Sequence, residues 1–415
     1  MDIETSRKSS ATPSLELSGS DLSGADLSVE EQVGLVEAAR SSSPVVGLTH
    51  NFYRYPARFS PLLVGSVIEA FSDPGDLILD PFMGGGTTLV EAAARGRHAV
   101  GSDISTLASF VARAKTAVLD DATGQSMREW LNRVPGEINM RTPEPEFQFW
   151  AEAGYFKHLG SAHRWRVRKA LAQCVESAER IGLPQAESFA RCVILRTAQW
   201  ALDGRKIFPS LLQFRKRLQT FGAEMLISSE AFTQLMTERG GSVTALNRSV
   251  VGLENDDLFR RKNAPRLILT SPPYPGVHVL YHRWQVSGGK ETGTPFFIAN
   301  ALDGSGSSYY TMGDRKRPGL TTYFEQLREG LASLVHLSDD RTTFVQVVAF
   351  SQPEWQLPAY LDAAAGVGLT ELFLPILQGE ADGRLWRQVP NRKWYAQQRF
   401  ESPGSQEVVL FHRLT

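Results

Sequence analysis

Short unbroken apolar runs alternate along this chain with longer stretches in which apolar positions recur every three or four residues. Leu77-Ile78-Leu79 and Leu267-Ile268-Leu269 are runs of the first kind, as are Thr343–Phe350 and Val408–Phe411. They suit strands buried on both faces of a parallel sheet. His98–Asp103 reads as the next strand after the first run, and Val250–Asp257 as the return to the sheet. The helical spacing falls at Leu62–Phe71, Ser161–Ile181, Pro184–Leu202 and Tyr323–Leu337. Ser105 caps a further helix through Lys115, with Leu107, Phe110, Val111 and Ala114 on one face. The pattern predicts an α/β protein with a mostly parallel, doubly wound sheet, interrupted by a large helical insertion.

Composition sets the bounds of this reading. A chain of 415 residues with 42% hydrophobic content can build a large core and one added domain. Residues 1–45 are serine-rich and nearly free of aromatics, so a loosely attached or disordered tail is expected there. The expected division is a catalytic domain in 46–118 and 248–415, with a helical insertion at 119–247. No run of eighteen apolar residues occurs, and the amino terminus lacks the apolar core of a signal peptide. Cys174 and Cys192 have no CxxC spacing, which offers no zinc site and fits a reducing cytoplasm.

Between the first two predicted strands lies Asp80-Pro81-Phe82-Met83-Gly84-Gly85-Gly86-Thr87-Thr88. Pro81 stops the strand, the glycines let the backbone turn tightly beside a ligand, and Thr87 is placed to cap the next helix. Gly96 stands where that helix should end. Leu89 replaces the third glycine of a dinucleotide fingerprint, and no Lys follows the glycines as a phosphate loop requires. Asp80 at the mouth would repel a pyrophosphate but suits a sulfonium, which points to S-adenosyl-L-methionine. Asp103, ending the second strand, is placed to accept hydrogen bonds from a ribose.

The run at 267 ends in Thr270-Ser271-Pro272-Pro273-Tyr274. Together with the glycine loop, this tetrapeptide resembles the paired motifs of the amino-methyltransferases that modify exocyclic amines of DNA bases. The resemblance covers about residues 48–120 and 248–415. It implies a Rossmann-like class I methyltransferase fold, with Ser271, Pro272, Pro273 and Tyr274 as the catalytic turn. It also implies a cofactor site built from Asp80, Pro81, Phe82, Gly84, Gly86, Thr87, Thr88 and Asp103. The aromatic, basic stretch 50–61, with Tyr55 and Phe59, resembles the family's donor-side motif, and packed connector aromatics are the plainer reading. An acid after the third strand, Asp256 or Asp257, would meet the adenine amine.

The implied substrate is double-stranded DNA with the target base flipped out, and no metal is required. Ser rather than Asp at position 271 resembles mainly the cytosine-N4 enzymes, with adenine-N6 methylation the close alternative. An RNA methyltransferase and a non-catalytic cofactor-binding DNA module are further alternatives. A restriction or defence protein is a candidate partner.

Charge changes the picture in one place. The net charge is −1, yet thirteen Lys/Arg against four acids lie between Lys157 and Arg217, a surplus of nine. Arg164, Arg166, Arg168 and Lys169 crowd one segment, and Arg205, Lys206, Arg215, Lys216 and Arg217 another. Placed between two catalytic halves, such a module reads as a DNA-grasping domain; a solvated basic face is the usual fate of such a run. His282 and Arg283, just past the catalytic turn, and Arg392 and Lys393 beside Trp394 and Tyr395 are further candidate DNA contacts.

Overall fold

Each apolar run becomes a strand of one sheet, and the stretches of helical period become helices that cover it or build a separate core beside it. The computed structural model describes residues 20–21, 27–43, 45–54, 59–161, 164–260, 264–275, 284–286, 290–299, 312, 318–380, 382–388 and 406–415. Among these the strands are β1 (Ser20–Asp21), β2 (Leu77–Asp80), β3 (His98–Asp103), β4 (Ser242–Asn247), β5 (Leu267–Thr270), β6 (Trp284–Val286), β7 (Lys290–Thr292), β8 (Thr343–Val348), β9 (Leu369–Phe373), β10 (Leu385–Gln388) and β11 (Gln406–Leu414). The helices are α1 (Val29–Arg40), α2 (Pro61–Phe71), α3 (Thr87–Ala94), α4 (Thr106–Thr116), α5 (Asp121–Glu137), α6 (Phe147–Glu152), α7 (Trp165–Glu179), α8 (Pro184–Leu202), α9 (Leu211–Arg239), α10 (Asp257–Arg260), α11 (Thr294–Ala299), α12 (Thr321–His336) and α13 (Pro353–Ala365).

The main sheet runs β1-β9-β11-β8-β5-β2-β3-β4, with β10 added beside β11. From β8 to β4 every pairing is parallel, while β11 inserts antiparallel between β8 and β9. Without the short β1 and the hairpin strand β10, seven strands remain in one mostly parallel sheet. The chain winds outward from β2 through β3 to β4, then crosses back to lay β5 against the other side of β2. The reversal lies between β2 and β5, the crevice where such sheets bind ligands.

Two apolar clusters cover the sheet. Leu63, Val64, Val67 and Ile68 of α2 and Leu35 of α1 pack on one face, and Tyr323, Leu327 and Leu331 of α12 with Tyr360 of α13 on the other. A separate core joins α4, α5, α7, α8 and α9, and it also takes in Phe52, Tyr53, Trp284, Val286 and Phe296–Ile298. The helical insertion is therefore built onto the segments that flank the two motifs.

Three boundaries differ from the sequence reading. Residues 29–40, inside the expected tail, form α1, because Ser28 and Glu31 make a reciprocal capping box and Leu35 and Ala39 bury against the core. The strand that returns to the sheet is β4, within the range read as insertion. Its half-exposed Ser-Val-Thr-Ala-Leu-Asn pattern hides it, whereas Val250-Val251-Gly252 turns at Gly252 (φ 78°) into a 3-10 helix. The residue preceding α3 is Gly86 at φ 70°, with no side-chain cap, and not Thr87.

Candidate active site at the β2–β5 crevice

Asp80, at the end of β2, is buried, and its Oδ1 accepts hydrogen bonds from Thr270 Oγ1 at 2.8 Å and the Phe82 amide at 3.2 Å. The first of these bonds ties the donor loop directly to the residue before Ser271. Burial pushes the Asp80 carboxyl up to about 6. The glycine loop then turns back on itself, the Gly86 amide donating to Met83 O at 2.7 Å. A Cβ at Gly86 would meet Ala112 Cβ at 3.0 Å on a backbone already in the left-handed region, so only glycine fits. Lys115, reaching from α4, donates to Gly85 O at 2.5 Å and pins the loop from below.

Asp103 lies half-buried at the end of β3, one oxygen accepting from the Gly84 amide (3.0 Å) and the other from the Ser105 amide (2.8 Å). Thr87 and Thr88 are buried in the first turn of α3, and Pro81 is buried at the strand end. Phe82 and Pro272 line one small apolar pocket with Leu327, Leu331 and Gln346, which brings the donor and catalytic loops side by side. These residues fit an adenosylmethionine: a buried carboxylate ends β2 beside the crevice, the glycine turn admits close approach, and an acid ends the neighbouring strand.

The Ser271–Tyr274 turn is held by groups far away in sequence. Ser271 Oγ donates to Tyr274 Oη at 3.3 Å, and Tyr274 Oη donates to Glu407 Oε1 at 2.5 Å. Tyr323 Oη donates to the Pro273 carbonyl at 2.8 Å. Tyr274, Glu407 and Arg387 are all buried, and the Arg387 Nε lies 3.6 Å from Glu407 Oε2. Sequence reasoning missed Glu407, Tyr323 and Lys115. None sits in a motif, and only the folded strand order and helix packing bring them to the site.

Asp256 has a carboxylate held below its ordinary range by the Leu258 amide and the Arg248 guanidinium, the latter at 2.7 Å. On the donor side, Phe52 and Tyr53 are buried, with Trp284 Nε1 donating to Tyr53 Oη at 3.0 Å. His50 pairs with Glu91 of α3 at 2.5 Å, and Arg95 pairs with the same carboxylate. Phe59 packs half-buried against the α1–α2 side of the sheet. Tyr55, His282, Arg283, Arg392 and Lys393 lie outside the described residues.

The basic insertion corrects the sequence reading most sharply. Arg168 and Lys169 are buried and do not face solvent. Arg168 makes a two-pronged pair with Glu144, at 2.7 and 3.0 Å, and lies over the Phe147 ring. Lys169 donates to the Met140 (3.1 Å) and Thr142 carbonyls. Arg180, Arg191 and Arg196 also pair with carboxylates, Glu137 and Glu224 among them, which lie outside the window that looked so basic. Arg164 is half-buried, donating to His158 O at 2.8 Å and lying over Phe208. Arg166, Lys206 and Lys216 remain exposed, while Arg205 and Arg217 lie over Trp200.

With this geometry in hand, likeness to known proteins can be placed on the fold. Residues 37–109 match the N6/N4 DNA methylase family. That span runs from the end of α1 through the glycine loop and Asp103 into α4. The type II methyltransferase M.MjaII of Methanocaldococcus jannaschii is 38% identical over 71 residues, 17% of this chain and 13% of that protein. The type II methyltransferase M.MvaI of Kocuria varians is 40% identical over 76 residues, 18% of this chain and 17% of that protein. The chain thus spans a fifth or less of the length of the curated relatives it matches. Among solved structures, the rRNA methyltransferase aviRa of Streptomyces viridochromogenes aligns over 90% of this chain and 96% of its own, at 11% identity and a TM-score of 0.31. Among the described residues, no helix is long and apolar enough to cross a membrane.

Proposed function

We propose that this chain, whose residues 37–109 match the N6/N4 DNA methylase family, methylates the exocyclic amine of a base in double-stranded DNA, with cytosine N4 as the target. The observation that carries the reading is the Thr270–Asp80 hydrogen bond, which sets the donor loop and the Ser-Pro-Pro-Tyr turn on adjacent parallel strands. S-adenosyl-L-methionine supplies the methyl group on a sulfonium. Asp80 would lie near that positive charge, Asp103 would accept from the ribose, and Gly84 and Gly86 would leave room for the ligand.

The target amine is a poor nucleophile, because its lone pair is delocalised into the ring. Hydrogen bonds from its two N–H groups to Ser271 Oγ and the Pro272 carbonyl would draw it toward tetrahedral geometry. Proline suits position 272 because it fixes the chain direction and keeps a carbonyl acceptor without adding a donor. A base inside a duplex cannot reach the crevice, so it is flipped out, and the Tyr274 ring offers it a stacking surface. The exposed Arg166, Lys206 and Lys216, with Arg205 and Arg217 on Trp200, are the insertion's candidates for phosphate contact. Such an enzyme would act in the cytoplasm, beside a restriction or defence partner.

The test is nucleoside analysis by mass spectrometry after incubating the chain with labelled adenosylmethionine and duplex DNA. N4-methylcytosine is expected. N6-methyladenine would move the target to the other base, and label in RNA but not in DNA would overturn the substrate class.

A further inference from the structure

The row of hydroxyls behind the catalytic turn has a direction, and that direction is set at its far end. Glu407 lies in β11, 133 residues after Tyr274, and is buried beside Arg387 of β10. Beside the Arg387 guanidinium, Glu407 Oε1 accepts from the Tyr274 hydroxyl at 2.5 Å. The phenol has one proton. With that proton committed to Glu407, the Tyr274 oxygen faces Ser271 as an acceptor, and Ser271 must donate across the 3.3 Å between them. Ser271 has likewise spent its single proton, and only lone pairs remain for whatever approaches its other side.

We propose that Glu407 is a positioning residue that orients Ser271, through Tyr274, to act as an acceptor toward the substrate amine. This deepens the methyltransferase reading and rests on it. The N–H groups of the amine must meet acceptors as its nitrogen becomes nucleophilic, whereas a serine turned the wrong way would donate to the nitrogen lone pair and tie it up. Arg387 fixes the identity of the far group. A guanidinium is always charged and offers only donors. In Glu407→Gln it would claim the single amide oxygen and turn the NH₂ toward Tyr274, reversing the row.

The experiment compares single-turnover methyl transfer to saturating duplex DNA, with adenosylmethionine affinity measured on the same proteins. Glu407→Gln should lower the rate on the order of a hundredfold, the scale of one misdirected active-site hydrogen bond, with donor affinity unchanged. Should a lone buried Arg387 unfold that variant, Glu407→Leu with Arg387→Met removes both charges together, an exchange that buried pairs tolerate. It should fold and lose about tenfold, since Ser271 is then undirected rather than reversed. In a Tyr274→Phe background the row is already cut, and the same exchange should cost less than about threefold. Full rate in either carboxylate-free protein, or an equal loss with and without the Tyr274 hydroxyl, overturns the proposal. Wild-type protein that binds adenosylmethionine but methylates no DNA would instead strike at the function on which it rests.

Discussion

Buried charge is handled in opposite ways at Asp80 and in the helical insertion. In the insertion, buried cations are answered by carboxylates: Arg168 by Glu144, Arg191 by Glu179 and Glu187, Arg196 by Glu224. At the end of β2, the bonds that hold Asp80 come from neutral donors, the Thr270 hydroxyl and the Phe82 amide. Its carboxyl is pushed up to about 6 in consequence. A charge answered inside the fold contributes to architecture, whereas one left without a counter-ion costs stability and is available to a cationic ligand. The distinction separates the residues that build this protein from those that would work in it.

The comparison breaks first, and most heavily, at Arg168. Truncating it to Ala removes both bonds to Glu144 and leaves that half-buried carboxylate only the Lys169 ammonium at 3.8 Å, so a loss of about 3 kcal/mol in unfolding free energy is expected. Denaturant titration measures it. If Arg168 were instead a phosphate contact, stability would hold and the salt dependence of DNA binding would change.

The opposite sign is expected at Asp80. Its folded-state value is raised above the unfolded one of about 3.9, so ionisation is costlier in the folded protein. Stability from this group is therefore greatest at low pH and falls as pH rises through about 6. Asp80→Asn removes a cost on the order of 2–3 kcal/mol above that pH, and the unliganded variant should melt higher at pH 8. The same change should weaken adenosylmethionine binding, because the sulfonium loses its carboxylate. Wild-type affinity should accordingly rise between pH 5 and 7, and a flat calorimetric profile would detach Asp80 from the donor's charge.

Asp103 sharpens the comparison at smaller scale. Its two oxygens brace Gly84 and Ser105, and they are also the proposed ribose acceptors. Asp103→Ala should lower donor affinity by about 1.5–3 kcal/mol for each charge-assisted bond lost. Unchanged affinity in calorimetry would place the ribose elsewhere.

What the sequence disclosed follows the same division. Asp80, Gly84, Gly86, Asp103 and the turn at Ser271–Tyr274 were legible, because strand ends and glycine turns are local and their chemistry is fixed by residue type. Glu407 was not, since a lone acid at the start of a strand looks like any solvated edge residue until β11 is laid beside β8. The β4 strand escaped for a different reason: it is a half-exposed edge, and its residues alternate too weakly to outbid the Val-Val-Gly-Leu that follows. The basic window misled because its neutralising acids, Glu137, Glu144 and Glu224, come from flanking helices or their connecting segments. Net charge within a window says nothing of the charges that other elements bring to it.

The smallest predicted effect bears on what remains of that basic face. After internal pairing, Arg166, Lys206 and Lys216 stay exposed, close in sequence to Arg205 and Arg217, which stack on Trp200. Each exposed cation that meets a phosphate releases condensed counterions, so the logarithm of affinity should fall with the logarithm of salt by about 0.9 per contact. Replacing Arg166, Lys206 and Lys216 together by Gln should flatten the slope by up to about 2–3 units, with unfolding free energy unchanged because none is buried. Arg168→Met, charge-matched to a single one of these changes, should leave the slope as it is while costing stability. A salt series by fluorescence anisotropy on the three proteins gives both answers. A slope untouched by the triple change would leave the insertion as a scaffold for residues 50–54, 284–286 and 294–299, with DNA gripped from elsewhere. A slope altered by Arg168→Met would mean that the buried pair opens when DNA binds, and the line between architectural and working charges would have to be redrawn.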